Sequence, residues 1–138
     1  MFEYVVKEVN KVVDGDTIDI TIDLGFSLTT KQRVRLNGID TPESITKDEN
    51  EKKFGLEAKE FISKWFTGNT NTIKVRTEKD DKYGRILGEF YVDGEKETLN
   101  EKLIRLGYAW SYDGGTKKKD FNILLERRKT QQVSTAMV

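Results

Sequence analysis

The sequence is compatible with an α+β fold, mainly β, in which five short strands form a Greek-key barrel of the OB type that also carries helices. Three observations support this fold: the strand-like segments are short, a helical segment interrupts them after the third, and two more helical segments follow the fifth. At 138 residues the chain is long enough for one core but too short for two. A different α+β arrangement would give the same pattern, so the pattern alone leaves the topology open.

Five segments have the composition and the alternation that are typical of β-strands. The clearest is the second, in which Thr or Asp alternates with Ile. Residues 25–30, before the third strand, are expected to form a polar, flexible connection. In the third strand Val34 and Leu36 share one face, so Arg35 should point away from the core. The predicted strands are Val5–Val13, Thr17–Ile22, Lys31–Leu36, Thr72–Thr77 and Ile86–Val92.

Three segments have the apolar spacing of amphipathic helices. In the first, Phe54, Ala58 and Trp65 recur on one face, and Gly68 follows as a stop signal. The charged segment before it, residues 44–53, is expected to be mostly loop. Trp65 and Trp110 are assigned to packing. The predicted helices are Phe54–Phe66, Thr98–Leu106 with Gly107 as its C-cap, and a basic segment marked by Phe121, Leu124 and Leu125.

One domain is expected over residues 1–132, followed by a frayed tail over 133–138. The chain has no Cys and no His, which excludes disulfides, thiolate or imidazole metal sites, a Cys nucleophile and the usual general base. Chemistry based on oxygen ligands remains. The 24 basic and 24 acidic residues cancel, which argues against a protein that coats nucleic acid through a broad positive surface.

The sequence contains neither a signal-peptide pattern nor an apolar run of membrane-spanning length. As written, the chain is expected to be soluble and cytoplasmic with no membrane partner, or secreted if a signal was removed. We also expect a monomer.

Two carboxylates stand where strand segments end and could share a metal ion. Asp16 belongs to an Asp-Gly-Asp turn, a pattern that is more often only a turn, and Asp40 follows the third strand. Together with the main-chain carbonyl of Thr41 and with water, they could form an incomplete oxygen shell. Such a shell favours Ca²⁺ over metals that require nitrogen or sulfur.

Further polar residues could complete a phosphate site. Glu43, placed beyond the single proline, could orient or deprotonate a water, or it could be a solvated loop residue. Arg35 and Arg85 could bind a phosphate through their planar forks, or they could be surface arginines paired with acids. Tyr83 and Tyr112 could offer a stacking face, although exposed loop tyrosines are common. The combination suggests metal-assisted cleavage of a phosphodiester.

Five ordered motifs resemble those of the staphylococcal nuclease (thermonuclease) family, whose members are Ca²⁺-dependent, sugar-nonspecific nucleases on an OB-fold barrel with three helices. The resemblance covers roughly residues 5–121. The motifs are V-D-G-D-T (Val13–Thr17), R-L-N-G-I-D-T-P-E (Arg35–Glu43), F-G-L-E-A (Phe54–Ala58), D-K-Y-G-R (Asp81–Arg85) and L-N-E-K-L-I-R-L-G-Y-A (Leu99–Ala109).

The resemblance implies a role for each matching residue. Asp16 and Asp40 would bind Ca²⁺ through their carboxylates and Thr41 through its main-chain carbonyl, with Asp14 placed behind these ligands. Tyr112 lies in a run that departs from the family pattern and would match a tyrosine that stacks on the substrate.

For the chemistry, the resemblance implies that Glu43 is the water-activating carboxylate and that Arg35 and Arg85 are the phosphate clamps. Lys82 and Tyr83 would border the terminal phosphate of the nucleotide.

The implied activity is a Ca²⁺-dependent phosphodiesterase or endonuclease that acts on DNA and RNA, preferably single-stranded, and leaves 3′-phosphate products. The alternative is a catalytically silent OB-fold module that binds nucleic acid or a peptide. A degenerate copy should have lost part of the site, whereas this chain keeps the full set, which favours the enzyme. That set is Asp16, Arg35, Asp40, Glu43 and Arg85.

Overall fold

The computed structural model describes residues 2–69, 71–78, 85–113, 115 and 119–136. Within those residues the chain forms seven strands and three helices. The strands are β1 (Phe2–Asp14), β2 (Thr17–Gly25), β3 (Leu28–Leu36), β4 (Ile39–Asp40), β5 (Ile73–Glu78), β6 (Ile86–Val92) and β7 (Trp110–Ser111). The helices are α1 (Glu49–Gly68), α2 (Leu99–Arg105) and α3 (Phe121–Ala136).

Five strands close into a barrel in the order β1-β2-β3-β6-β5. Each pair is antiparallel except β3 with β6, which run parallel from the pairing of Val34 with Ile86 to that of Leu36 with Gly88. Strand β1 shifts register three times along β2, and such irregularities bend a strand enough to close a small barrel. The predicted α+β fold, a five-stranded barrel with three helices, is confirmed.

The core fills the barrel and extends beneath the helices. The isoleucines that alternate along β2 point inward, as their period of two predicts, and α1 and α2 add apolar side chains to the same core. Trp65 and Trp110 are both buried, which confirms their assignment to packing. The largest fully buried side chains include Ile18, Ile20, Leu36, Ile62, Phe90, Leu99 and Leu103.

Helix α1 begins at Glu49, so the prediction that residues 44–53 are mostly loop was wrong for the last five of them. Its N-cap is Asp48, whose carboxylate accepts hydrogen bonds from the backbone N–H groups of Asn50 and Glu51. The apolar pattern did not indicate this helix start, because the first turn of α1 is charged. The sequence signal was an Asp followed three residues later by a Glu, which is a capping pattern.

Other boundaries also differ from the predicted ones. Strands β2 and β3 continue to a tight hairpin at Phe26 and Ser27, both with positive φ, so most of the segment 25–30 belongs to strands rather than to a flexible connection. The backbone of α3 is helical through Ala136, past the predicted domain boundary at residue 132. Among the described residues, the helices lack the combination of length and apolar character that crossing a bilayer requires.

Candidate active site

A pocket of about 320 Å³ opens at one end of the barrel. The turn between β1 and β2, the end of β3, strand β4 and the segment before α3 meet there. The main-chain carbonyl of Asp16, in the turn between β1 and β2, accepts a hydrogen bond from the backbone N–H of Leu36 at 2.8 Å. This bond holds the turn against the end of β3. The lining includes six predicted site residues: Asp16, Arg35, Asp40, Thr41, Glu43 and Arg85.

Arg35 lies between the two carboxylates that the sequence proposes as metal ligands. Its Nη2 atom is 3.7 Å from Asp16 Oδ2 and 3.8 Å from Asp40 Oδ1. The other terminal nitrogen, Nη1, donates to the main-chain carbonyls of Leu36 at 2.8 Å and Ile39 at 3.1 Å. The side chain is off the core face, as predicted, but only 8% of it is exposed. The alternative of a surface arginine is therefore wrong for this residue.

The Asp-Gly-Asp turn brings Asp16 to this place because its middle residue has no side chain. A Cβ at Gly15 would lie 2.7 Å from the hydroxyl oxygen of Thr41, so the turn packs directly on that threonine. Asp14 also lines the pocket, but its Oδ1 is engaged with Ser44, from which it accepts hydrogen bonds of the hydroxyl and the backbone N–H. Asp14 thus supports the loop next to Glu43.

The Glu43 loop is held from several sides. A Cβ at Gly55 would lie 2.5 Å from the carbonyl oxygen of Glu43, so α1 packs its glycine directly against this peptide. The backbone N–H of Glu43 donates to Glu51 Oε2 at 3.1 Å. Lys119 Nζ donates to the same oxygen at 2.7 Å and lies 3.8 Å from Glu43 Oε1.

The sequence patterns indicated neither Glu51 nor Lys119 as part of the site. Glu51 stands in the first turn of α1, where an acid is normal, yet it is 7% exposed. Lys119 is the last of three consecutive lysines, and no spacing singled it out. The hydrogen bond to Glu51 raises the pKa of Lys119 above its ordinary value, and the charges of Glu51, Glu43 and Asp40 add to this while burial opposes it. Lys119 is therefore a firmly charged ammonium at the pocket.

The donor set fits a hard cation. Asp16 and Asp40 have side chains only 16% and 5% exposed, and the hydroxyl oxygen of Thr41 is buried without a hydrogen-bond partner among the described residues. No group of three or more His, Cys, Asp or Glu side chains that could hold a metal ion occurs in the described part of the chain. Asp16 and Asp40 would thus supply part of the oxygen shell of a hard divalent cation, and main-chain carbonyls, water or substrate would supply the rest.

Of the other predicted site residues, Arg85 and Tyr112 are described by the structure, whereas Lys82 and Tyr83 are not. Arg85 is half-buried and lines the pocket just before β6. The ring of Tyr112 lies with its centroid 5.5 Å from the guanidinium carbon of Arg35, and its hydroxyl donates to the carbonyl of Gly115 at 2.9 Å. Lys82 and Tyr83 lie outside the described residues, so their roles stay predictions.

Comparison with known proteins gives consistent matches. The family model described as staphylococcal nuclease homologue matches residues 33–134. The thermonuclease of Staphylococcus hyicus is 34% identical over 102 residues, which is 74% of this chain and 56% of that protein. The thermonuclease of Staphylococcus intermedius is 38% identical over 101 residues, which is 73% of this chain and 56% of that protein.

An archaeal relative matches over a longer stretch. The uncharacterized protein MJ1439 of Methanocaldococcus jannaschii is 31% identical over an alignment that covers 91% of this chain and 68% of that protein. The chain spans just over half the length of each of the two thermonucleases.

Proposed function

Because the chain belongs to the staphylococcal nuclease family, we propose that it is a Ca²⁺-dependent phosphodiesterase that hydrolyses DNA and RNA as a monomer. The observation that carries the proposal is the pocket itself. Around one cavity lie the buried carboxylate of Asp40, the half-buried carboxylate of Asp16, the buried guanidinium of Arg35 and the further acid Glu43. The relatives named thermonuclease support the reaction class.

In this proposal Asp16 and Asp40 hold Ca²⁺ through their carboxylates and Thr41 through its main-chain carbonyl. When bound, the ion supplies positive charge to the scissile phosphate and makes a nearby water easier to deprotonate. Arg35 and Arg85 bind the phosphate oxygens and stabilise the extra negative charge of the transition state.

Glu43 orients or deprotonates the attacking water, which enters in line with the leaving 5′-oxygen and leaves a 3′-phosphate. The exposure of its side chain, 55%, leaves room for that water beside the carboxylate. Lys82 and Tyr83 border the terminal phosphate, and Tyr112 offers its ring to a base. A pocket recessed at the end of a barrel suits single-stranded DNA and RNA, because a paired strand would have to open first.

The proposal is tested by incubating the purified chain with plasmid and with single-stranded DNA and RNA in Ca²⁺, in Mg²⁺ and in a chelator. We expect cleavage in Ca²⁺, products that end in 3′-phosphate, and none in chelator. Mg²⁺ should not support cleavage, since the smaller ion demands tighter octahedral geometry and holds its waters more firmly. The variant Asp40→Asn should lose activity, while Glu60→Gln, a change at an exposed acid of α1, serves as the matched control.

Two results would contradict the proposal. Equal rates in Mg²⁺ alone would remove the assignment of Ca²⁺. Binding of single-stranded DNA in Ca²⁺ without cleavage would instead identify the chain as a silent binding module.

A further inference from the structure

A chain of contacts connects three separate segments beside the pocket: the loop after β4, the first turn of α1 and the segment before α3. We call these contacts the Glu51 bridge, and its members are Glu43, Glu51 and Lys119. We propose that Lys119 is a positioning residue that, through Glu51, fixes the Glu43 loop for the phosphodiester cleavage proposed above. This inference rests on the proposed function for its kinetic part and on the geometry for its structural part.

Glu51 is the centre of the bridge because one of its oxygens serves two donors. Oε2 accepts from the backbone N–H of Glu43 at 3.1 Å and from Lys119 Nζ at 2.7 Å. The Glu51 side chain is 10% exposed, and a carboxylate so far from water needs a compensating positive charge. Lys119 provides that charge. Without it, Glu51 would be a poorly compensated anion and would no longer be held against the Glu43 backbone.

Lys119 is joined by hydrogen bonds, through Glu51, to the backbone of Glu43, and its contact with the Glu43 carboxylate is only a longer ion pair. The distance of 3.8 Å from Nζ to Glu43 Oε1 is too long for a hydrogen bond. The Glu43 carboxylate therefore keeps its access to water, while the peptide that carries it is fixed. This division suits a residue whose side chain must reach a water at a defined distance from the phosphate, since a displacement of about 1 Å can reduce a rate by up to about 10²-fold.

The position of Lys119 at the pocket also allows a different role, namely a direct contact with a substrate phosphate. Its strong hydrogen bond to a buried carboxylate favours the positioning role, because that bond already uses much of the ammonium charge. The two roles make opposite kinetic predictions. Loss of a positioning residue lowers kcat, whereas loss of a phosphate contact raises KM and weakens the dependence of binding on salt.

The experiment compares Lys119→Met and Lys119→Arg with a matched control, Lys64→Met. Lys64 also donates to a glutamate, Glu60 at 2.9 Å, but on the exposed surface of α1. Two experiments are made on each variant: steady-state kinetics, for kcat and KM on single-stranded DNA in saturating Ca²⁺, and hydrogen exchange of the Glu43 backbone amide by NMR in the metal-free protein.

We expect Lys119→Met to lower kcat by about 10-fold with little change in KM. The Glu43 amide should exchange about 10-fold faster or more, because its acceptor, Glu51 Oε2, is no longer held in place by Lys119. Lys119→Arg should restore most of both quantities, and Lys64→Met should change neither. If Lys119→Met does not fold, the same exchange measurement on Glu51→Gln, which keeps an acceptor oxygen but removes the charge, should show the faster exchange.

Unchanged exchange of the Glu43 amide in a folded Lys119→Met variant would overturn the bridge, whatever the activity. A raised KM with unchanged kcat would overturn the positioning role in favour of a phosphate contact. If the wild-type chain cleaves no substrate, the proposed function fails, but the exchange measurement still decides whether Lys119 holds the loop.

Discussion

Two regions of the barrel contain the same ingredients in different surroundings. Each has an arginine beside a tyrosine ring, at 5.5 Å in the pocket and 5.0 Å on the outer face of β1, β5 and β6. Each arginine also has two carboxylates, at 3.7 and 3.8 Å in the pocket and at 3.7 and 4.0 Å on the outer face. The pocket cluster is Arg35, Tyr112, Asp16 and Asp40, and the face cluster is Arg76, Tyr91, Glu3 and Glu89.

The two clusters differ in burial and in what holds the arginine. Arg35 is 8% exposed and anchored by two main-chain carbonyls, whereas Arg76 is 34% exposed and its partner Glu3 is 58% exposed. Water reaches both glutamates of the face cluster, Glu3 at 58% and Glu89 at 34% exposed, so its ion pairs contribute little, although the Tyr91 ring beside them is buried. The pocket cluster keeps charges where they are costly to bury, which is typical of a functional site. Residue types alone therefore do not distinguish a site from a surface network, whereas burial and anchoring do.

The strongest test of the difference between the two clusters is to replace the arginine of each cluster by lysine. Arg35→Lys keeps the charge but removes the planar fork, so kcat should fall on the order of 10²-fold or more, as for other lost transition-state donors. Arg76→Lys should leave kcat within about twofold, because no member of its cluster lines the pocket and its ion pairs are screened by water. Turnover of both purified variants on single-stranded DNA in Ca²⁺ measures the difference.

The two substitutions should also differ in their effect on the free energy of unfolding. Arg35→Lys leaves buried carbonyls of Leu36 and Ile39 short of a donor, which should lower the free energy of unfolding by about 1–3 kcal/mol in urea titrations. Arg76→Lys should change it much less. Near wild-type turnover in Arg35→Lys would remove the clamp role of that residue.

A second prediction tests whether the pocket depends on the packing of α1 against the Glu43 loop. In Gly55→Ala the new Cβ would lie 2.5 Å from the Glu43 carbonyl oxygen, so the loop must move. We expect a loss of stability of about 1–3 kcal/mol. The displacement of Glu43 should lower kcat by about 10-fold or more.

The control for this change is Gly68→Ala at the other end of the same helix. A Cβ there meets nothing within 4 Å, so stability should change by less than about 1 kcal/mol and kcat should not change. Equal kinetic effects of the two alanines would show that the contact between Gly55 and the loop does not position Glu43.

The sequence predicted the site residues that belong to short local motifs. Asp16, Asp40 and Arg35 lie in turns and strand ends whose local patterns and family resemblance indicated them, and the structure brings all three together. The burial of Arg35 was not predictable, because it depends on carbonyls at the crossing from β3 to β4. Nor was the pair of Glu51 and Lys119, since 68 residues separate its members and only the fold brings them together.

The fold was predictable to a similar degree. Alternation along β2 gave its inward face because the period of two is a local property. Strands β4 and β7 have two residues each and exist only because they pair with each other, so no local pattern could indicate them. The start of α1 was missed since its first turn carries charge instead of an apolar stripe, although the N-cap at Asp48 was readable in principle.

The smallest expected effect is in the face cluster, where the stability contributed by Tyr91 should depend on pH. Burial is the main cause that raises the pKa of Tyr91 above its ordinary value of 10.0, and the hydrogen bond that its hydroxyl donates to Glu3 at 2.6 Å raises it further, while Arg76 opposes the shift. A raised pKa in the folded state means that this tyrosine contributes stability fully below about pH 10 and loses the contribution as the pH rises through the folded-state value.

Tyr91→Phe removes both the hydrogen bond and the titration. The variant should be less stable than the wild type by about 0.5–1.5 kcal/mol at pH 8, and the gap should narrow above pH 10 because only the wild type loses the contribution of Tyr91 there. Urea titrations of both proteins at pH 8, 10 and 11 measure the gap, and taking the difference removes the titration of lysines common to both. Turnover at pH 8 should be the same in the two proteins, since the face cluster has no part in the chemistry. A gap that stays constant to pH 11 would show that the Tyr91 hydroxyl does not titrate as its burial and its bond to Glu3 require.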